Sequence, residues 1–291
     1  MKPLALLAVA AAVLLPGCAP ADAGDDARMP VTAAFYPLQF VAERVGGEHV
    51  RVTSLTRPGV EPHDLELTPK QVGSLADADS VLYLHGFQPA VDEAVRTEAP
   101  DAALDVGPAA QLTLTSHGAP DPHFWLDPTR LAEVADAVAD DFSARDPGNA
   151  AAYRANADAL EAELNSLDEE IGRGLSTCRT RELVTGHAAF GYLAERYGLH
   201  QEGVAGVSPD IEPDAATLRD LSAHVRRAKV GTVYAESLVS PALAETVARE
   251  AGVRVAVLDP LEGITTASKG RNYLEVMRAN LATLRAGQEC P

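Results

Sequence analysis

Three histidines and one aspartate stand out by their surroundings. His63 lies in Glu61-Pro62-His63-Asp64, His123 in Asp121-Pro122-His123-Phe124-Trp125-Leu126-Asp127-Pro128, and His187 in Thr185-Gly186-His187. Asp259 is followed by Pro260 and closes an apolar run. Consecutive members lie about 60 to 70 residues apart, unlike the tight spacing of a zinc finger or of the two-histidine helix of a metalloprotease. Only the fold can bring such residues together. Three imidazoles and one carboxylate would suit a borderline cation such as zinc, whereas an all-oxygen set would suit calcium or magnesium. Each residue alone has an ordinary explanation. A histidine beside a proline is commonly an exposed loop residue, and Asp before Pro initiates turns. Their shared placement, in loops at or near the ends of strand-like segments, makes them one candidate site.

Outer partners are also expected, because a metal-bound imidazole passes its other N–H to a carboxylate, carbonyl or water. Glu61, Asp64 and Glu236 are the candidates. His117 lies in a polar loop and reads as a solvated residue. His49, His85, His200 and His224 have no ligand-like context and are expected to be structural or on the surface.

The elements that must position these residues alternate in type. Strands are expected at 31–35, 50–55, 80–84 and 103–106, with helices at 37–45, 68–75 and 89–97. The second half repeats the rhythm, with strands at 182–185, 201–205, 232–235 and 253–258. Its helices are expected at 190–197, 213–228, 241–251 and 272–285. Strands alternating with helices imply parallel sheets covered on both faces. Between the halves, Tyr153, Ala157, Leu160, Leu164, Leu167, Ile171 and Leu175 recur at steps of three and four, one stripe of a long helix. The expected class is α/β: two lobes joined by one long helical linker, with the ligand in the interlobe cleft. The expected divisions are an N-terminal lobe at 31–147, a connecting helix at 148–175 and a C-terminal lobe at 176–291.

The chain has 291 residues and a formal charge of −18. Its acidity argues against nucleic-acid binding, which needs a basic face to displace counterions. Residues 1–17 contain an apolar run too short to span a bilayer, read as a secretory signal peptide. Leu15-Pro16-Gly17-Cys18 is similar to a bacterial lipobox, making Cys18 a candidate for lipidation and 18–30 a tether. Cys178 and Cys290 remain as an even pair in an exported, oxidising setting and are expected to form a disulfide, with two free thiols as the alternative.

The strings E-P-H-D-L-E-L-T-P, D-P-H-F-W-L-D-P, T-G-H-A-A-F-G-Y-L-A-E-R-Y-G-L and L-D-P-L resemble the metal-binding substrate-binding proteins of bacterial ABC transporters for zinc and manganese. The similarity runs from about residue 31 to the end. It implies two α/β lobes, a long helical backbone and a metal between the lobes, held by His63, His123, His187 and Asp259. Manganese members usually carry Glu at the third position. His187 there implies Zn2+, with Mn2+ as the runner-up, and imidazole in place of carboxylate shifts preference the same way. The resemblance further implies a membrane permease as partner, and the lipid an extracytoplasmic location on the membrane. A monomer is expected. Two other readings compete: a zinc hydrolase with three histidines and an activated water, with Glu61 or Glu236 as base, and an extracellular adhesin. Asp259 separates carrier from hydrolase: direct coordination closes the site, whereas a water in its place weakens the carrier reading.

Overall fold

Strands at the centre of a parallel sheet are covered on both faces, whereas edge strands keep one face toward water. The computed structural model describes residues 28–116, 118–209 and 213–291, and its strands follow that rule. The N-terminal lobe alternates β1 (Met29–Ala33), α1 (Tyr36–Gly46), β2 (Val50–Ser54), α2 (Pro69–Leu75), β3 (Ser80–Tyr83), α3 (Pro89–Glu98) and β4 (Ala103–Asp105). The strand order is β2-β1-β3-β4, all parallel. Central β1 and β3 are nearly all buried, while edge strand β2 alternates as its sequence does. Thr68 starts α2 with a capping box that includes Gln71, and Pro69 takes the first turn, where no N–H is required.

A short helix α4 (Gly107–Ala110) and a two-stranded ribbon of β5 (Thr115–Ser116) and β6 (Ala119–Pro120) lead to α5 (Pro128–Arg145). The elements expected above include none at α5. Its buried face joins Leu131, Val134, Val138 and Phe142, at steps of three and four, with three alanines and a proline. The start signal is also present, since Asp127 caps the helix and Pro128 opens it.

The connecting helix is α6 (Ala150–Leu175), and its buried residues are the seven of the expected stripe. At 1.5 Å per residue it spans about 39 Å. It packs against α1 and α5 on one side of the molecule. On the other it meets α7 (Gly191–Tyr197) and α10 (Tyr273–Gly287). Acids along α6 meet arginines from both lobes: Glu163 with Arg44 of α1, Asp168 with Arg196 of α7, and Glu170 with Arg278 of α10. Such partly exposed pairs are worth at most about 1 kcal/mol each. A fully buried large apolar side chain contributes about 1.5–3 kcal/mol. The apolar stripe therefore carries the docking and the pairs fix its register. One apolar core runs from β1 through α5 and α6 into α10, and so joins the lobes.

The C-terminal lobe contains β7 (Glu182–Thr185), α7, β8 (His200–Gly203), α8 (Ala215–Arg227), β9 (Thr232–Ala235), α9 (Ala242–Ala251), β10 (Arg254–Val257) and α10. Its parallel order is β10-β9-β7-β8. A second, smaller core lies between this sheet and the pair α8 and α9. Strand order reverses between β1 and β3 and between β7 and β9. In open α/β sheets the crevice beyond the strand C-termini at such points receives ligands.

Cys178 and Cys290 form a disulfide that ties the end of α10 to the end of α6. Beside it Gln288, fully buried, donates to the Glu182 carbonyl (2.9 Å), and its own carbonyl accepts the Arg179 N–H (3.1 Å). Among the described residues no helix is long and apolar enough to cross a membrane. The expected signal peptide (1–17), Cys18, the tether as far as residue 27 and His117 lie outside the described residues.

The disulfide closes a separation of 112 residues, which in the chain-entropy picture makes it a strong constraint on the unfolded chain. Cys178→Ser should lower unfolding free energy by about 2–4 kcal/mol in urea denaturation under oxidising conditions. An unchanged midpoint would show that the bond does not stabilise the lobe.

Candidate metal centre

Each ligand loop begins with a short local turn. In Glu61-Pro62-His63 both oxygens of Glu61 accept the His63 backbone N–H (3.1 Å). In Asp121-Pro122-His123 the Asp121 Oδ1 accepts the His123 N–H (3.0 Å). Proline fixes its own φ and has no N–H to offer, so the acid closes on the residue after it. A buried Gln88 at the start of α3 donates to the Pro62 carbonyl (3.0 Å), which holds the first loop against the lobe. His187 leaves the end of β7, and its N–H donates to Glu236 Oε1 (2.7 Å) at the end of β9. That pair sits where the strand order reverses.

The three loops bring three imidazole Nε2 atoms to one point. His63 and His123 are 3.3 Å apart at Nε2, and His123 and His187 are 3.4 Å apart. The fourth donor is Glu262. Its Oε1 stands 3.3 Å from His63, 3.1 Å from His123 and 3.3 Å from His187, each measured to Nε2. Five of the six donor pairs are thus 3.1–3.4 Å apart, and all four atoms lie within 4.8 Å of one another; a tetrahedron with edges of about 3.3 Å has its centre about 2.0 Å from each corner, which is the bond length of zinc to nitrogen and oxygen donors. His63, His123, His187 and Glu262 are the one group among the described residues able to hold a metal ion.

The sequence-based expectation placed Asp259 in that fourth position, and the structure places Glu262 there instead. Asp259 is fully engaged elsewhere. Its Oδ1 accepts the Leu261 N–H (2.9 Å) and its Oδ2 the Ser268 hydroxyl (3.1 Å). Asn280 of α10 brackets its backbone, accepting its N–H (3.0 Å) and donating to its carbonyl (2.7 Å). Asp259-Pro260-Leu261 is thus the same acid–proline turn as at His63 and His123, but a leucine stands where those loops have a histidine. Leu261 takes a left-handed φ of 59°, and the chain then delivers Glu262 inward. The signal for Glu262 is a carboxylate directly after the turn, three residues past Asp259, in Asp259-Pro260-Leu261-Glu262.

The outer partners also divide. Glu236 receives the His187 Nδ1 contact. Asp121 does the same for His123, at 2.7 Å from Nδ1, and was not among the candidates although the repeated acid–proline–histidine pattern marks it. Glu61 holds the His63 backbone, with one oxygen 4.0 Å from the His63 Nε2. Asp64 is exposed, and among the described residues no hydrogen bond joins it to a site imidazole. By accepting hydrogen bonds from the Nδ1 of His123 and His187, Asp121 and Glu236 turn both Nε2 atoms toward the point where a metal would bind. Two glycines make room for these carboxylates. A Cβ on Gly186 would fall 2.8 Å from Glu236 Oε1, and one on Gly191 would collide with Asp121 Oδ2.

His123, His187 and Glu262 are buried almost completely, while the His63 side chain is 8% exposed. Burial pushes the His63 pKa down, and the Glu262 contact only partly offsets this. Burial would lower His123 and His187 too, but there the carboxylates win. His123 is raised through Asp121 and Glu262, and His187 is pushed up to about 10 by Glu236 and Glu262. Burial alone would raise Glu262, yet hydrogen bonds from the three imidazoles hold it well below the ordinary carboxylate range. These shifts favour an ionised Glu262 beside a protonated His187 before an ion binds. The other carboxylate oxygen, Glu262 Oε2, is buried without a hydrogen-bond partner among the described residues.

Comparison with known proteins places this geometry. The family described as zinc-uptake complex component A, periplasmic (ZnuA), matches residues 31–287. The zinc-binding lipoprotein AdcA of Streptococcus pneumoniae is 35% identical over 299 aligned residues, which cover 96% of this chain and 60% of AdcA. The chain therefore spans about 60% of that relative's length. The high-affinity zinc uptake system protein ZnuA of Bacillus subtilis is 32% identical, covering 91% of this chain and 89% of the relative. Among solved structures, the Zn(II)-bound ZnuA-like domain of S. pneumoniae AdcA matches with a TM-score of 0.78 at 35% identity, over 90% of this chain and 99% of that one. The laminin-binding protein Lmb of Streptococcus agalactiae, described as bifunctional with adhesin and metal-transporting activity, gives a TM-score of 0.82 at 30% identity, covering 90% of this chain and 99% of Lmb.

Two outcomes follow from the donor set. Asp259→Asn keeps an oxygen for the Leu261 N–H, so zinc affinity by competitive titration should stay within about threefold of the native value. Glu262→Gln should lower it by 10- to 100-fold or more, on the order seen for metal-site partners; the reverse ranking would restore Asp259 as the ligand. Zinc must also expel the proton that His187 carries below about pH 10. Affinity should therefore rise with pH, by about tenfold per unit between pH 7 and 9 for one proton released. Calorimetry in buffers of different ionisation enthalpy would count that proton, and pH-independent binding would contradict the charge state.

Proposed function

This chain belongs to the family of zinc-uptake complex component A, periplasmic, and from that premise we propose that it captures Zn2+ outside the cytoplasm and hands it to a membrane permease of the ABC type. The observation that carries the reading is the tetrahedron of His63, His123, His187 and Glu262 donors at the meeting of the two lobes. Three nitrogens and one oxygen match zinc, while manganese favours more oxygen donors in an octahedral shell. Lipidation at Cys18, as in the relative named a lipoprotein, would hold the protein at the membrane through the tether.

A carrier must bind without reacting. Four protein donors complete a tetrahedral shell and leave no position for an activated water, as structural zinc sites do and hydrolases do not. This disfavours the hydrolase. Glu236 and Glu61, its candidate bases, are engaged with ligand backbone N–H groups. Capture gains from electrostatics as well. Glu262, Glu236 and Asp121 place negative charge within one imidazole of the ion, in a chain that is acidic overall. Release needs one arm of the donor set to withdraw, because all four donors are held by their loops.

The purified mature protein should take up one zinc per chain in competition with a chelator of known affinity. His63→Ala, His123→Ala and His187→Ala should each weaken binding by at least 100-fold, and equimolar Mn2+ should not displace zinc. Undiminished zinc binding in all three variants would refute the site.

A further inference from the structure

Trp125 is the single tryptophan of the chain and is fully buried. It stands between the ligand loops of the two lobes. On one side its ring packs edge-on against the ligand His123, with centroids 5.2 Å apart. Phe87 lies 5.8 Å from the same indole and itself packs edge-on against His63 at 4.7 Å. On the other side the indole Nε1–H donates to the Pro260 carbonyl at 2.8 Å, two residues before Glu262. The Trp125 carbonyl in turn accepts the hydroxyl of Tyr273, the first residue of α10, at 2.6 Å.

The chemistry of Pro260 gives this bond its weight. Proline has no N–H, so its carbonyl is the sole backbone hydrogen-bonding group by which that residue can be held. The next residue, Leu261, is in the left-handed region, which persists in a non-glycine residue only where the surroundings enforce it. Asp259 and Asn280 hold the C-terminal lobe's end of this turn. The Trp125 bond ties the turn to the N-terminal lobe.

We propose that Trp125 is a positioning residue for zinc: its indole N–H, by holding Pro260 across the cleft, delivers Glu262 to the three imidazoles. The inference rests on the zinc reading above and extends it. Completion of the donor set is thereby coupled to contact between the lobes. Opening the Trp125–Pro260 bond withdraws Glu262 and leaves three histidines, from which zinc escapes faster.

The test is the rate of zinc release from the full mature chain into excess chromophoric chelator, measured by stopped flow. Trp125→Phe should accelerate release by 10- to 100-fold, the range for outer partners of metal ligands. Tyr273→Phe, which removes only the donor to the Trp125 carbonyl, should accelerate it in the same direction. The decisive comparison is a double-mutant cycle with Glu262→Gln. If Trp125 acts through Glu262, Trp125→Phe combined with Glu262→Gln releases zinc no faster than Glu262→Gln alone. Should Trp125→Phe not fold, a benzothienylalanine at position 125 keeps the ring and lacks the N–H, and the same acceleration is expected. Restoring the N–H with 7-azatryptophan should return the native rate. Multiplicative effects in the cycle, or native release from both N–H-lacking variants while Glu262→Gln is fast, would overturn this inference and leave the zinc reading standing. A native protein that holds no zinc would overturn both.

Discussion

Electron-rich atoms held 3.1–3.4 Å apart inside a protein repel one another unless positive charge lies among them. Three imidazole nitrogens and one carboxylate oxygen stand in that relation at five of their six pairings, buried from water. The carboxylates of Glu236 and Glu262 favour a proton on His187, which would supply part of that positive charge before an ion binds. A divalent cation at the centre of the tetrahedron supplies it fully and satisfies all four lone pairs together. Everything else in the fold can be understood as holding these four atoms at that spacing while they would otherwise separate.

The holding is done mainly by backbone turns. An acid followed by proline accepts the N–H of the residue beyond at Glu61, Asp121, Asp127 and Asp259. Two of these turns present a ligand imidazole, one starts α5, and one shapes the loop that ends in Glu262. A single local device thus serves as ligand arm, helix cap and loop former. The acids differ in what remains of them after the turn is closed. Asp121 still reaches the Nδ1 of its own histidine, whereas Asp259 is used up by Leu261 and Ser268.

That difference explains what was legible in the sequence. His63, His123 and His187 could be read because each sits in an unusual local context near the end of a strand, and strand ends are where an open parallel sheet binds ligands. The stripe of α6 could be read because seven large or small apolar residues keep one period. The fourth donor could not be placed by the same reasoning. Asp259 and Glu262 are three residues apart, and only the left-handed turn at Leu261 decides which carboxylate faces the cleft. Sequence spacing does not encode that turn, because no glycine or asparagine announces it. The stripe of α5, with Leu131, Val134, Val138 and Phe142 at steps of three and four, is equally legible, but its opening Asp127-Pro128 lies inside a motif that also carries a ligand and is read only for that.

The lobes are not independent bodies on a flexible linker. A common apolar core passes through α6 and α10, and the disulfide fastens the far end of both helices. Large hinge motion would expose that core, so exchange of the ion falls to the loops at the cleft, with His63 the most exposed donor. A zinc-loaded crystal with anomalous data collected on both sides of the zinc absorption edge reads the arrangement directly. One zinc peak is expected, about 2.0–2.1 Å from the Nε2 atoms of His63, His123 and His187 and from Oε1 of Glu262. A peak bound by Asp259, or one with water in place of Glu262, would contradict the closed four-donor centre.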